Sequence, residues 1–466
     1  MSEYLEFIAS KRVSVAVAGF DAGPMVAPMF PFQVQNVTWA CRMGRAALFL
    51  DTGLGKTRQQ LEWARQVCEH TGGRVIILAP LAVAHQTVRE AAACGITGVG
   101  YAKDGTSDHA IVVTNYERLA KFDTSQFVGV VLDESSILKS YSGTTKMALF
   151  EAFSGTPYKL ACTATPAPND HLELGNHAEF LGVMSSHEMI ARWFINDTSQ
   201  FGTYRVKGHA VEDFWDWVSS WAVMASLPSD LGEFDDGGYV LPEMVSHVHC
   251  VEVDRDVSFG DVKGQLTIVT TVEMNATSIH KEKRRTAVAR AEKVVGLVRA
   301  DPDEPWLVWC ETDYEADALM AEFKVRNVAA TEVRGSDTPE SKERDLEWFT
   351  DGAIRVMVTK PKIAGFGLNW QHCARVAFVG ATFSFEAYYQ AIRRVWRFGQ
   401  SRPVHVHVVM ATTEKSVWAI LEHKRGDFEV MKHAMVTAAR RSRRTVAKAG
   451  TYEPGHVMVP PKWERS

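Results

Sequence analysis

The sequence predicts an α/β protein: two doubly wound parallel-sheet lobes in tandem, with a helical and mixed insertion between them. Three observations carry this expectation. Short apolar runs alternate with helix-period segments from about residue 30 to residue 182, and the same rhythm returns at residue 306. The first of these runs opens into a glycine-rich turn, Phe49-Leu-Asp-Thr-Gly-Leu-Gly-Lys-Thr57, followed by a helical pattern. The hundred or so residues between the two rhythmic parts follow neither period.

Taken in order, residues 1–27 form a lead-in with one alternating run and a Gly-Pro turn. Residues 28–183 form the first lobe, with strands expected at Ala46–Leu50, Val75–Leu78, Ile111–Val113, Val128–Leu132 and Lys159–Cys162. Residues 184–300 read as a linker with an inserted subdomain. There Trp193, Trp215, Trp217 and Trp221 crowd together, an acidic turn runs from Glu233 to Gly238, and residues 280–299 make a basic helix. Phe214, Trp217, Val218 and Trp221 have helical spacing, which favours core packing over a base-stacking wedge. The basic helix suits a strand-lining role and a solvated face equally. Residues 301–430 form the second lobe, with strands at Trp306–Cys310, Arg355–Thr359, Arg375–Val379 and Val404–Met410. His405 and His407 alternate in the last of these and read as structural, not as metal ligands. Residues 431–466, with Arg440, Arg441, Arg443, Arg444 and Lys448, read as a flexible polyanion-binding tail.

Composition narrows the function classes. The 466 residues carry a formal net charge of −5, so a polyanion partner has to meet a local basic surface. Seven cysteines are scattered without a C-x-x-C, which argues against a disulfide framework or a zinc site and for a reducing compartment. The run Val13–Phe20 is too short to span a membrane, and acidic neighbours count against a signal peptide. The expected location is cytoplasmic.

The turn after the first strand has the parts of a phosphate-binding loop. Gly53 and Gly55 let backbone N–H groups approach phosphate oxygens, Lys56 reaches the β/γ-phosphates, and Thr57 supplies a hydroxyl for Mg²⁺. Asp51, Thr52 and Leu54 complete the loop. The strict pattern would have glycine at position 50, where this chain has Leu50. In Val130-Val-Leu-Asp-Glu-Ser-Ser136 an apolar strand ends in two carboxylates: Asp133 suits the metal, and Glu134 suits orientation of the attacking water. In Gln390-Ala-Ile-Arg-Arg-Val-Trp-Arg-Phe-Gly-Gln400, Arg394 and Arg397 stand one helical turn apart and suit the charge that develops in phosphoryl transfer.

The order of these motifs resembles that of the superfamily-two helicase-like ATPases, in particular the Swi/Snf-like (DEAD-like) branch, over roughly residues 28–412. Phe30-Pro-Phe-Gln33 is similar to the adenine-reading Q motif, with Gln33 as reader. The phosphate loop is motif I and Asp133-Glu-Ser-Ser136 is motif II. Leu78 to Val83, with Pro80, is similar to motif Ia. Thr114-Asn115-Tyr116-Glu117 is similar to motif Ib, and Thr163-Ala-Thr165-Pro to motif III. Trp306–Cys310 resembles motif IV. Gly365-Phe-Gly367-Leu-Asn369 resembles motif V, with Gly365 and Gly367 at the nucleotide. Gln390 to Gln400 resembles motif VI, its Arg-Phe-Gly-Gln ending in the Swi/Snf-like form. The resemblance implies two RecA-like lobes holding ATP and Mg²⁺ between them. It also implies a nucleic-acid strand gripped by Pro80, Thr114, Asn115, Tyr116, Thr163, Thr165 and Asn369.

Motif II departs from many members, which have histidine or aspartate where this chain has Ser136. The form Asp-Glu-Ser-Ser-x-x-Leu-Lys139 resembles phage- or prophage-borne members, which would put the protein in a host cytoplasm. The implied function is an ATP-dependent helicase or translocase, on DNA in preference to RNA. Two alternatives retain every motif: an ATP-gated nucleic-acid clamp, and the motor subunit of a restriction, nuclease or replication assembly with a partner protein.

Overall fold

The computed structural model describes residues 17–139, 143–196, 204–252, 276–364, 369–382 and 384–448. Residues 18–20 run beside the end of the first helix, their N–H groups donating to the carbonyls of Met43, Arg42 and Cys41. Most of the alternating run expected in the lead-in lies outside the described residues.

The first lobe alternates strand and helix as the pattern requires. Helix α1 (Pro31–Met43) precedes β1 (Arg45–Leu50), and α2 (Lys56–Thr71) leads to β2 (Arg74–Ala79). Then come α3 (Leu81–Ala93), β3 (Val99–Tyr101), β4 (Ile111–Asn115), β5 (Phe127–Asp133), α4 (Thr144–Ala152) and β6 (Tyr158–Cys162). Every neighbour pair in the sheet is parallel, in the order β3-β4-β2-β5-β6-β1-β9, where β9 is the later segment Ala222–Ala225. Strands β1, β2, β4 and β5 are buried along almost their whole length, as both faces carry helices. Their C-terminal ends therefore share one rim, where the phosphate loop and Asp133 stand.

The stretch 184–300 contributes strands to the sheets of both lobes. Helices α5 (Glu173–Leu181) and α6 (Ser186–Trp193) lead into a small antiparallel hairpin, β7 (Phe194–Asn196) with β8 (Tyr204–Val206). Helix α7 (Val211–Trp221) then feeds β9 (Ala222–Ala225), which pairs with β1 and becomes the seventh strand of the first sheet. Four residues of Ala-Val-Met-Ala give no readable period, so this strand was hidden in the sequence. Phe214, Trp217, Val218 and Trp221 are buried in the first lobe's core, which supports the packing reading over the wedge.

Strand β10 (Met244–Val251) crosses to the edge of the second sheet, and α8 (Ala276–Arg285) and α9 (Ala287–Ala300) pack on that lobe. The basic helix is not simply solvated. Arg290 is fully buried, donating to Glu315 Oε1 and the Val379 carbonyl at 2.8 Å each, and Lys283 pairs with Glu311. A buried guanidinium is tolerable because several acceptors satisfy its fork of donors.

The second lobe continues with β11 (Trp306–Trp309), α10 (Asp313–Val325), β12 (Thr331–Val333), α11 (Pro339–Thr350), β13 (Val356–Thr359) and α12 (Pro361–Ala364). It closes with β14 (Arg375–Val379), α13 (Phe385–Ile392) and β15 (Val404–Ala411), in the parallel order β10-β15-β14-β11-β13-β12. His405 and His407 on β15 face His247 and His249 on β10, joined by N···N hydrogen bonds of 3.0 and 3.1 Å. Among the described residues no three histidine, cysteine or acidic side chains are placed to hold one metal ion.

The last helix, α14 (Lys415–Lys448), takes up residues 431–448 of the expected tail, and residues 449–466 lie outside the described residues. It starts on the second lobe and runs back onto the first. Phe428, Met431, Met435 and Ala438 are buried in the first lobe's core cluster, and Arg440 and Arg441 pair with Asp230 and Asp216. A stripe of apolar residues at helical spacing explains the docking. The arginines had hidden it by suggesting a solvated run.

Candidate nucleotide site and the cleft beside it

The phosphate loop is fixed from both sides. Asp51 N–H donates to the Ala225 carbonyl at 2.9 Å, so the added strand β9 anchors its start. Its far end is held by buried amides: Gln33 Nε2 and Gln59 Nε2 both donate to the Leu54 carbonyl, at 3.0 and 2.9 Å, and Asn36 donates to Gln59. Gly55 has φ +75°, and a Cβ there would stand 2.3 Å from Gln33 Nε2. Glycine is thus needed for both conformation and space. Gln33 also accepts from Phe30 N–H at 2.9 Å, so the amide expected to read adenine is engaged in pinning the loop. Phe30 is half-exposed beside Tyr239. Lys56 Nζ rests on the strand-end carbonyls of Leu50 (2.8 Å) and Asp51 (3.4 Å). Thr52 N–H donates to Asp51 Oδ1 at 2.7 Å, while its buried hydroxyl has no partner. Thr57 lies in the first turn of α2, half-buried.

Motif II stands opposite. Asp133 Oδ1 accepts from Gln60 Nε2 at 2.7 Å, and its carbonyl accepts from the Tyr116 hydroxyl at 2.6 Å. Glu134 adopts φ +56°, a left-handed conformation that costs about 1 kcal/mol or more for a residue with a side chain. It is held there by Thr163 Oγ1 at 3.2 Å and by Gln390 Nε2 of the second lobe at 3.4 Å. Burial pushes the Glu134 carboxyl up to about 7; Lys56 opposes the rise and Asp133 adds to it. Burial likewise raises Asp133, against the hydrogen bond from Gln60.

Helix α13 of the second lobe supplies the other wall. It ends at Ile392, and residues 393–399 are tight turns, so Arg394 and Arg397 are not paired by helical spacing as expected. Arg394 is nonetheless buried, its Nε donating to the Gln390 carbonyl at 3.2 Å. Burial lowers it to about 10 against the pull of Glu134 and Asp133. Arg397 is half-buried and lowered to about 9, by burial and then by Arg394. Sequence reading passed over Arg393. This side chain is buried and forms an ion pair with Asp51, and Tyr389 donates its hydroxyl to the same carboxylate at 2.7 Å. Burial alone would raise Asp51; Arg393 and then Lys432 outweigh it and hold the carboxyl well below its usual range. Phe398 packs on Gly53, where a Cβ would come within 2.9 Å of the Phe398 Cβ.

A cleft of about 1130 Å³ opens between the lobes beside Glu134 and Gln390, bordered by Pro80 and Glu117 on one side and Lys342 and Lys362 on the other. Four of the seven residues expected to touch a strand, Thr114, Asn115, Thr163 and Thr165, lie beneath this surface, while Tyr116 lines the cleft. Thr114, Thr163 and Thr165 are fully buried, and Asn115 and Tyr116 nearly so. Their groups tie elements together: Thr114 Oγ1 donates to the Ala102 carbonyl at 2.8 Å, Tyr116 holds Asp133, and Thr163 holds Glu134. Pro80 borders the cleft and Asn369 is exposed. Gly365 and Gly367 lie outside the described residues.

The donor set suits a hard cation. A carboxylate oriented by Gln60 and a hydroxyl at a helix N-terminus are oxygen ligands of the kind Mg²⁺ takes, with nucleotide phosphates completing its shell.

Residues 289–399 match the family model "Helicase conserved C-terminal domain". A stretch of 210 residues, 44% of this chain, is 23% identical to the bifunctional helicase and thymine dioxygenase JBP2 of Leishmania infantum. Over 114 residues the chain is 29% identical to the human transcriptional regulator ATRX. The matched stretches are 17% and 4% of those proteins' lengths, so the chain covers a small part of each. A Sulfolobus solfataricus SWI2/SNF2 ATPase core in complex with dsDNA aligns at 18% identity, covering 92% of this chain and 98% of that one, with a TM-score of 0.42. With a second lobe that matches the helicase C-terminal domain model over residues 289–399 and the motifs of the first lobe in order ahead of it, the chain resembles the superfamily-two helicase-like proteins of Swi/Snf-like type.

Proposed function

We propose that the chain hydrolyses ATP between its two lobes and uses the resulting closure and opening to move along nucleic acid, DNA in preference to RNA. One observation carries this reading: a single second-lobe segment, Tyr389 to Arg394, touches both the phosphate loop at Asp51 and motif II at Glu134. A nucleotide bound there has to meet both lobes, so its hydrolysis changes their contact.

Lys56 leaves the strand-end carbonyls for the β/γ-phosphates. Glu134 orients a water for in-line attack and, once deprotonated, accepts its proton. Arg394 and Arg397 meet the charge that develops on the transferred phosphoryl group. Thr57 and Asp133 would hold Mg²⁺, which would supply neutralisation of the phosphate charge. Among the described residues no helix is long and apolar enough to cross a membrane, and the expected setting remains the cytoplasm, a host's if the gene is phage-borne.

The deciding experiment is the steady-state ATPase rate without polymer and with single-stranded DNA, duplex DNA or RNA, at fixed salt because backbone binding depends steeply on it. Strong stimulation by one polymer identifies the track. Basal hydrolysis with no stimulation turns the reading to a motor that waits for a partner protein. Stimulation without triplex displacement turns it to an ATP-gated clamp. Lys56→Ala and Glu134→Gln are each expected to abolish turnover with the fold intact, and wild-type rates in either would refute the site assignment.

A further inference from the structure

Two ion pairs cross the cleft, and both have the same polarity. Lys139, six residues beyond Asp133, pairs with Glu386 on α13 of the second lobe. Arg89 on α3 lies 3.8 Å from Glu343 on α11. In each pair the cation belongs to the first lobe and the carboxylate to the second, and all four residues line the cleft. Glu386 also accepts from the Ser136 hydroxyl, so its two oxygens engage two residues of one motif. Lys139 remains 39% exposed while Glu386 is only 14% exposed, so the lysine has open space to turn into and the carboxylate does not.

An exposed cation that faces a carboxylate across an open cleft can exchange it for another oxyanion of similar size and charge. A backbone phosphate is such a group, and a polymer offers a row of them. We propose that Glu386 and Glu343 stand, in the strand-free cleft, where nucleic-acid phosphates sit on Lys139 and Arg89 once a strand enters. This rests on the nucleic-acid reading above and adds the residues that hold the backbone. It also gives Ser136 a role, that of keeping Glu386 on motif II. Gln390, one turn further along α13, bonds Glu134. Displacement of Glu386 by a phosphate therefore shifts the helix that touches the hydrolytic carboxylate. Lys139 and Arg89 are binding residues on this account, and Glu386 is a positioning residue.

The test uses the full-length protein and a fluorescein-labelled duplex, with affinity measured by anisotropy over a salt series. A cation that meets a phosphate adds about 0.9 to the slope of log K against log salt for a duplex. Lys139→Ala is expected to lower the slope by about 1, and Lys139→Ala with Arg89→Ala by about 2, while Lys139→Arg keeps it. Glu386→Gln removes the competing carboxylate, so the duplex should bind several-fold tighter and the ratio of stimulated to basal ATPase should fall. A thermal melt of each variant separates these effects from misfolding. An unchanged slope in Lys139→Ala together with unchanged affinity in Glu386→Gln overturns the inference while wild-type binding still stands. If the wild type binds neither duplex nor single strand, the nucleic-acid reading falls and this one falls with it.

Discussion

Arg393 of the second lobe donates from Nε to Oδ1 of Asp51 in the phosphate loop at 3.1 Å, and both side chains are about 95% buried. Removing one partner of such a pair leaves the other as a buried, uncompensated charge. The usual cost is about 3–5 kcal/mol. Tyr389 and Lys432 still face Asp51, so Arg393→Ala should fall near the low end of that range. Adding Asp51→Asn should recover most of the loss, because the residual charge is gone. Denaturant unfolding of the single and double variants measures this, and additive losses would show that the two residues do not act as a pair.

Gln60 offers a second test, one that sequence reading did not suggest. It is fully buried in α2 and donates to Asp133 Oδ1 at 2.7 Å. A group that orients a metal-binding carboxylate typically contributes 10–100-fold in metal affinity. Gln60→Ala is therefore expected to raise the Mg²⁺ concentration needed for half-maximal ATPase by about tenfold or more. A Mg²⁺ titration at saturating ATP measures it, and an unchanged midpoint would take Asp133 out of the cation site.

What was legible follows from how local each signal is. Glycines 53 and 55, Lys56 and the Asp133-Glu134 pair stand within a few residues of a strand end, so their place in the fold follows from spacing alone. Most strands of the two sheets were equally plain, being buried on both faces and therefore continuous in apolar residues. Arg393 escaped because its role depends on where α13 stops; a helix continued past Ile392 would have paired Arg394 with Arg397 and turned Arg393 elsewhere. The engagement of the expected strand-contact residues was not legible for a different reason. Thr114 and Thr163 bear hydroxyls that suit a phosphate, and only the packing reveals that other protein atoms already engage them. Strand β9 and the docked part of α14 are long-range features, and a four-residue strand or a basic helix end has no pattern that names its distant partner.

The raised Glu134 carboxyl, at about 7, gives a pH prediction. The residue has to be ionised to accept a proton, so kcat/KM for ATP should rise with pH through the neutral range. Glu386 is among the groups that raise it. In Glu386→Gln one negative neighbour is lost, ionisation becomes easier, and the rising limb should move to lower pH. Parallel profiles of wild type and variant measure the displacement. A shift to higher pH would mean that Glu386 does not act on Glu134 through its charge.

Helix α14 gives the last prediction. Met431 is fully buried, and with Phe428 and Met435 it lies in the core cluster of the first lobe, although the helix begins on the second. Truncating a buried methionine to alanine costs about 2–5 kcal/mol, from lost transfer energy and the cavity left behind. Met431→Ala should show that loss as a weakened bond between lobes. The helix is anchored on the second lobe by Val417 and Leu421, and this end is untouched by the substitution. Unfolding that is cooperative in the wild type should then separate into two steps, because each lobe has its own sheet and core. Lys432 sits 3.8 Å from Asp51, so loosening the helix also removes a cation from the phosphate loop. Calorimetry of the variant measures both the midpoint and the number of transitions. A single transition at the wild-type temperature would show that α14 lies on the first lobe without holding it.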